Sequence, residues 1–171
     1  MSFDVYSRWF HIWFAAVLLG GAVFQWFALG PAVRDLTDAQ KPLFREWVNA
    51  RWRLVVMAGS LILLVTGFYN YLIVLRPLHK GDGIYHGLMG LKILLALAVF
   101  FFAAALAGRS PKFEGMRRRA AMWNLVLIGL LTAIVFIGGY LKVARPPALM
   151  IQPPAAPPVQ AVPPVQAAPA T

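Results

Sequence analysis

The sequence predicts an all-α fold: a polytopic membrane protein whose four transmembrane helices form one bundle, followed by a C-terminal tail that is disordered or polyproline II. Three observations predict it. Sixty per cent of the 171 residues are apolar and 13% are charged, with a mean hydropathy of +0.68, outside the range of soluble globular chains. The apolar residues fall in four runs of roughly 20, each enough at about 1.5 Å rise per residue to cross a hydrocarbon core of about 30 Å. After Arg145 the chain becomes proline-rich and carries no charged side chain.

Taken in order, the first span runs from about Trp9 to Leu29. Arg8 ahead of an apolar run, with Ala28-Leu29-Gly30 after it, faintly resembles a secretory signal, but the length of the run and the three later spans argue that it is retained. In the first loop, Thr37-Asp-Ala-Gln40 has capping-box spacing, and Leu43, Phe44, Trp47 and Val48 follow at helical intervals. This predicts a short amphipathic helix on the membrane face, running into span two, with Trp47 and Trp52 as interfacial anchors. Span two covers about Leu54 to Leu75, and Arg76 to Gly83 is a tight turn by its proline and glycine content. Span three covers about Tyr85 to Ala107. Ser110-Pro111 marks a helix start ahead of span four, about Ala121 to Val143.

The chain therefore divides into a transmembrane domain, 1–145, and a tail, 146–171. The tail holds nine prolines, with Pro-Pro-Val-Gln at 157–160 and again at 163–166. It cannot form a core. It is read either as a flexible extracytoplasmic segment or as one that docks on a partner subunit.

The net charge of +10 invites a nucleic-acid reading, but its distribution follows membrane topology instead. The loops after spans one and three carry Arg34, Lys41, Arg45, Arg51 and Arg53, and Arg109, Lys112, Arg117, Arg118 and Arg119. The opposite side carries Arg8, Arg76, Lys80, Lys142 and Arg145. Ten against five, by the positive-inside rule, predicts that both termini are extracytoplasmic and that the first and third loops lie in the cytoplasm. The lipid bilayer and other membrane subunits are the expected partners, not nucleic acid, and anionic headgroups suffice for Arg117 to Arg119.

Cofactor chemistry has few places to reside. The absence of cysteine excludes thiolate metal sites, disulfides and covalent c-type haem. The three histidines, His11, His79 and His86, all fall toward the outer side, and His11 and His86 lie at matching depth on spans that run in the same direction. Imidazole is an axial ligand of b-type haem and a good copper ligand, so His11 and His86 are the candidate ligands of a haem b or a copper ion, with His79 as an optional third. Lone interfacial histidines also have the simpler reading of a hydrogen bond to a carbonyl or headgroup. Ala15, Ala16, Gly20, Gly21, Gly87 and Gly90 near them suit either a flat macrocycle or close helix packing. Met89 suits either Cu(I) or core filling.

Lys92 is the one clearly intramembrane cation, and no span holds an acid. It either snorkels outward or meets an anionic ligand such as a haem propionate, with Arg8, Arg76 and Lys80 able to join it. Tyr69, Asn70 and Tyr140 sit toward the same side, as hydrogen-bonding groups or as interfacial belt residues. There is no set of nucleophile, base and orienter, no phosphate loop and no intramembrane carboxylate relay. The chain is not read as an enzyme on its own.

Trp9-Phe-His11 with Leu19-Gly20-Gly21 and Pro31, Arg51 through Thr66-Gly67, and His86-x5-Lys92-x-Leu-Leu-Ala resemble the bacterial copper resistance protein D family. They are distantly similar to the four-helix membrane protoporphyrinogen oxidases. The resemblance spans roughly residues 5 to 143. It implies a four-helix membrane unit that handles copper across the inner membrane in the first case, or holds a haem b through His11 in the second. The function expected is thus electron transfer or metal handling at the outer face. The alternative is a cofactor-free accessory subunit of a larger membrane complex, its tail clamping a neighbour.

Overall fold

The computed structural model describes residues 3–147, so nearly all of the proline-rich tail, and both readings of it, lie outside the described residues. Four long helices are present: α1 (Phe3–Asp35), α2 (Gln40–Leu78), α3 (Gly83–Ala107) and α4 (Ala120–Ala144). Each is long and apolar enough to cross a membrane. Only 11% to 17% of the most apolar window of each is buried within the protein. The remaining apolar surface has no protein partner among the described residues, and a bilayer is the solvent that such a surface requires.

Two helices extend well past their apolar runs. The amphipathic segment of the first loop is continuous with span two, making α2 39 residues long, or about 58 Å at helical rise. Only half of the capping box expected at Thr37 forms, and the helix starts at Gln40 after Ala39, with no side-chain cap. The Thr37 main-chain N–H donates to Gln40 Oε1 at 3.1 Å, and the Thr37 hydroxyl donates to the same oxygen at 3.0 Å. Between α3 and α4, Pro111–Phe113 forms a 3-10 turn and Glu114–Arg118 a short helix.

Near the end of both α1 and α2 the helix widens by one residue per turn. The π turns Gln25–Leu29 and Asn70–Leu75 each stand two residues ahead of a proline, Pro31 and Pro77. A proline in a helix loses its own N–H and presses its ring against the carbonyl four residues back. The i→i−5 bonds from Gly30 N–H to the Gln25 carbonyl and from Arg76 N–H to the Tyr71 carbonyl shift the register where that clash arises.

The bundle closes on itself. α1 packs along α2 and α4, and α3 along α4 and α2, so α1 and α3 face each other across the diagonal. Leu18, Val56, Leu63 and Ala107 form one buried cluster, Ala22, Val99, Leu127 and Leu131 a second, and Tyr85, Met89 and Leu141 a third. Met89 thus fills core. Close approach of α1 and α2 depends on glycine at two levels. A Cβ at Gly59 would stand 3.4 Å from Leu18 and Phe14, and one at Gly21 would collide with the Trp52 indole. Trp52 therefore turns into the bundle, unlike the interfacial anchor expected. Trp47 does face outward, with the Arg51 guanidinium 4.0 Å above its ring.

Candidate functional site

Both helix ends of the chain and the α2–α3 turn gather at one end of the bundle, which carries the three histidines. The first and third loops gather at the other, rich in arginine. At the histidine end the antiparallel register of α1 and α2 aligns polar residues in layers. Leu18 lies against Gly59, His11 against Thr66 two turns on, and Ser7 reaches the level of Asn70 one turn further. Asp4 accepts a hydrogen bond from the Tyr69 hydroxyl at 2.8 Å near the helix start.

The His11 contact fixes a chemical state. The Thr66 hydroxyl has a single proton and donates it to the Ile62 carbonyl at 2.6 Å, the back-bond that threonine makes in a helix. Its oxygen is left to accept, so the 2.9 Å contact with His11 requires the proton on Nδ1. Nε2 is then the nitrogen with the free lone pair. This is how a hydroxyl or carbonyl behind a metal-binding histidine sets its tautomer. Gly67 makes the approach possible, since a Cβ there would sit 3.1 Å from the imidazole Cε1. The Leu63 carbonyl is the ring's other polar neighbour, and the Lys92 ammonium is within electrostatic reach.

Lys92 extends from α3, at the opposite corner of the bundle, toward α4. Its Nζ lies 3.1 Å from where a Cβ of Gly138 on α4 would stand, so the ammonium rests against bare helix backbone rather than running outward along α3. It has no ion-pair partner among the described residues. From the other corner of the diagonal it acts on His11 through space, within electrostatic reach.

His86 and His79 have hydrogen-bond partners of their own. The His86 Nδ1 is 3.1 Å from the Tyr71 hydroxyl on α2, five residues on from the partner of His11. Gly87 and Gly90 beside His86 have nothing within 4 Å of a Cβ position, which leaves that face of α3 open. His79 is buried, stacked on Tyr85 at 3.6 Å between ring centroids and 7° between planes. Its Nδ1 is 2.9 Å from the Leu75 carbonyl and its Nε2 3.1 Å from the Arg145 carbonyl. Both nitrogens face main-chain oxygen, and neither is directed at a shared site. No group of three or more histidine, aspartate or glutamate side chains placed to hold a metal ion occurs among the described residues. Arg8 and Arg76 are exposed at the same end of the bundle, Arg8 within electrostatic reach of Tyr85.

Several contributing residues escaped the sequence reading. Asp82 caps α3, its Oδ1 accepting from the Tyr85 N–H at 3.0 Å, and the Arg145 guanidinium approaches the same carboxylate at 3.3 Å. The Tyr85 N–H first, and then the charges of Arg145 and His79, hold the Asp82 carboxyl below its ordinary range. With His79 on the Arg145 carbonyl, this ties the end of α4 to the α2–α3 turn. Gly81 makes that turn at φ 86°, a conformation open to glycine at little cost. Ser7 Oγ and Asn70 Oδ1 are buried without a hydrogen-bond partner. An Asn70 inside an apolar run was the visible signal, whereas the role of Ser7 follows only from register.

At the arginine end a cavity of about 970 Å³ opens between the helices. Its floor is core, including Leu18, Val56, Val99, Leu127 and Leu131, and its mouth carries Arg34, Lys41, Arg45, Arg117 and Arg118. Asn49, in the amphipathic start of α2, and Asn124, in the apolar run of α4, also line it and escaped the sequence reading.

Compared with protein-family models, with curated proteins and with solved structures, the chain finds no match in any of the three.

Proposed function

We propose that this chain is a multi-pass protein of the bacterial inner membrane, with both termini extracytoplasmic, that holds a haem b or a copper ion in the outer half of its bundle through His11. Electron transfer or metal handling is its role. The observation that carries the reading is the Thr66 hydroxyl, which commits the His11 proton to Nδ1 and frees Nε2. Lys92 supports it as an intramembrane cation with no acidic partner among the described residues, suited to a carboxylate of the bound group.

Haem b suits this donor set better than copper. One imidazole of fixed tautomer and one nearby cation meet the needs of a macrocycle with an iron and propionates, whereas copper sites draw on several soft or imidazole donors at once. When bound, the iron would supply one-electron redox chemistry. His11 would ligate it, Thr66 orient the ring and Lys92 balance charge. His86, beside the open face at Gly87 and Gly90, is the proposed second ligand. The resemblance to the copper resistance protein D family and the membrane oxidases points to the same end of the bundle.

The rival reading, a cofactor-free accessory subunit of a membrane complex, draws on His79 and on His86, whose contacts are with protein groups. An absorption spectrum of the natively isolated protein, oxidised and dithionite-reduced, with metal analysis, decides between them. A Soret band lost in His11→Ala and kept in His79→Ala supports the haem. Stoichiometric copper without that band, lost in His11→Ala, supports copper. Absence of both signals in intact protein would overturn the cofactor reading, whereas the accessory reading predicts a co-purifying partner that is lost when residues 146–171 are deleted.

A further inference from the structure

The cavity at the arginine end is independent of the histidines and has chemistry of its own. Its volume of about 970 Å³ stands at the upper end of small-molecule sites. Its walls come from all four helices, so the space lies along the bundle axis rather than on the lipid-facing surface. The floor is hydrocarbon. Trp26, Phe44 and Trp52 ring the intermediate level, and five cations surround the opening with Glu114 as the one acid lining it.

The cations are not neutralised by that acid. Glu114 takes both Arg117 at 3.0 Å and Arg118 at 3.5 Å, and Lys41 pairs with the exposed Asp38. Arg34 and Arg45 have no ion-pair partner among the described residues. The two arginines hold the Glu114 carboxyl below its ordinary range. Arg117 keeps its Nη1 buried with no acceptor. A buried guanidinium N–H without a partner is costly, so it marks a place where an acceptor belongs.

We infer that this cavity binds one anionic phospholipid, its headgroup phosphate held by Arg45 and Arg117 and an acyl chain lying on the Val56, Val99 and Leu127 floor. An apolar floor beneath a cationic mouth matches an amphiphile with a negative head, and basic pockets between transmembrane helices are where such headgroups are recognised. A free phosphate would use the mouth and leave the floor without a partner.

The test is native mass spectrometry of the full chain released from nanodiscs holding phosphatidylglycerol and phosphatidylcholine of equal chain length. The wild type should retain one phosphatidylglycerol under activation that strips phosphatidylcholine. The double variant Arg45→Gln/Arg117→Gln should lose it by about 30-fold, at the usual contribution of each basic residue near a membrane surface. Ala103→Trp, which fills the floor, should lose it with every cation in place. Arg109→Gln, at an arginine outside this cavity that pairs with Glu46, should retain it, and circular dichroism checks that each variant is helical. Equal retention of the two lipids would overturn the inference, as would unchanged retention in a folded double variant. Millimolar inorganic phosphate that displaces the lipid from wild type and binds equally well to wild type and Ala103→Trp would assign the site to free phosphate and overturn it too. None of these readouts depends on a cofactor at His11.

Discussion

Replacing Thr66 by valine is the sharpest perturbation of the histidine end, because it preserves shape and removes one oxygen. Two hydrogen bonds use that oxygen. The bond to the Ile62 carbonyl costs little to lose, since that carbonyl is in the helical ladder of α2. The contact with His11 at 2.9 Å joins α1 to α2, and interhelical hydrogen bonds in membranes average about 0.6 kcal/mol and reach about 1.7. Valine also leaves a half-buried Nδ1–H with its acceptor gone, which moves the cost toward the upper figure. A destabilisation of about 1 to 2 kcal/mol is expected for Thr66→Val. Thr66→Ser keeps the hydroxyl and should cost less than half as much. Reversible unfolding in mixed micelles of increasing sodium dodecyl sulfate fraction, followed by circular dichroism, reads both. If the natively isolated protein carries haem, Thr66→Val should also weaken its retention by about 10- to 100-fold, the usual effect of removing the group behind a ligating histidine. Equal costs for valine and serine, or no cost for valine, would refute the assignment of the Nδ1 proton to a Thr66 bond.

Gly21→Ala drives a methyl group into the Trp52 indole and should destabilise by about 1 to 3 kcal/mol, as overpacking does. The double variant with Trp52→Leu should recover part of that loss in the same unfolding assay. Lys92→Met removes a cation resting on Gly138 and should raise the stability of cofactor-free protein, by up to about 2 to 3 kcal/mol at full membrane depth; a loss of stability would show that Lys92 has an anionic partner in the fold itself. Asp82 lies in the turn with its carboxyl held low by the Tyr85 N–H and then Arg145, so its contribution is present above the ordinary aspartate range and is lost as pH falls through its own lower value. The difference in melting temperature between wild type and Asp82→Asn should accordingly be constant at neutral pH and shrink below pH of about 4.

The spans were legible because hydropathy is a one-dimensional property, and a run such as Ile93 to Leu106 can be satisfied only by lipid or core. Helix rotation is not one-dimensional. Trp47 and Trp52 read alike as interfacial anchors, and only the missing side chain at Gly21, 31 residues earlier, makes room for Trp52 inside. Thr66 and Tyr71 were invisible as histidine partners for the same reason: each pairing depends on which face of α2 meets α1 or α3. The arginines of the first and third loops were legible as topology signals. Their convergence on one cavity was not, because it requires α1 and α4 to be neighbours, a closure that no local pattern specifies.

The histidine end holds more unsatisfied polarity than helix packing requires. Ser7 Oγ and Asn70 Oδ1 are buried without partners on facing helices at one level. One turn deeper His11 and Thr66 share a bond, and the Lys92 ammonium on α3 lies within electrostatic reach of His11. In a low-dielectric interior each unpaired group costs free energy, and apolar residues of the same size would remove that cost. Packing accounts for Gly59, Gly67 and Met89, which would be retained in a bundle with no polar interior at all. It does not account for Ser7, His11, Asn70 and Lys92 on three helices converging within two turns of one another. A ligand that accepts from Lys92 and is ligated by Nε2 of His11 would remove the cost at both groups at once, which is the physical reason to look for a cofactor at this end before any other.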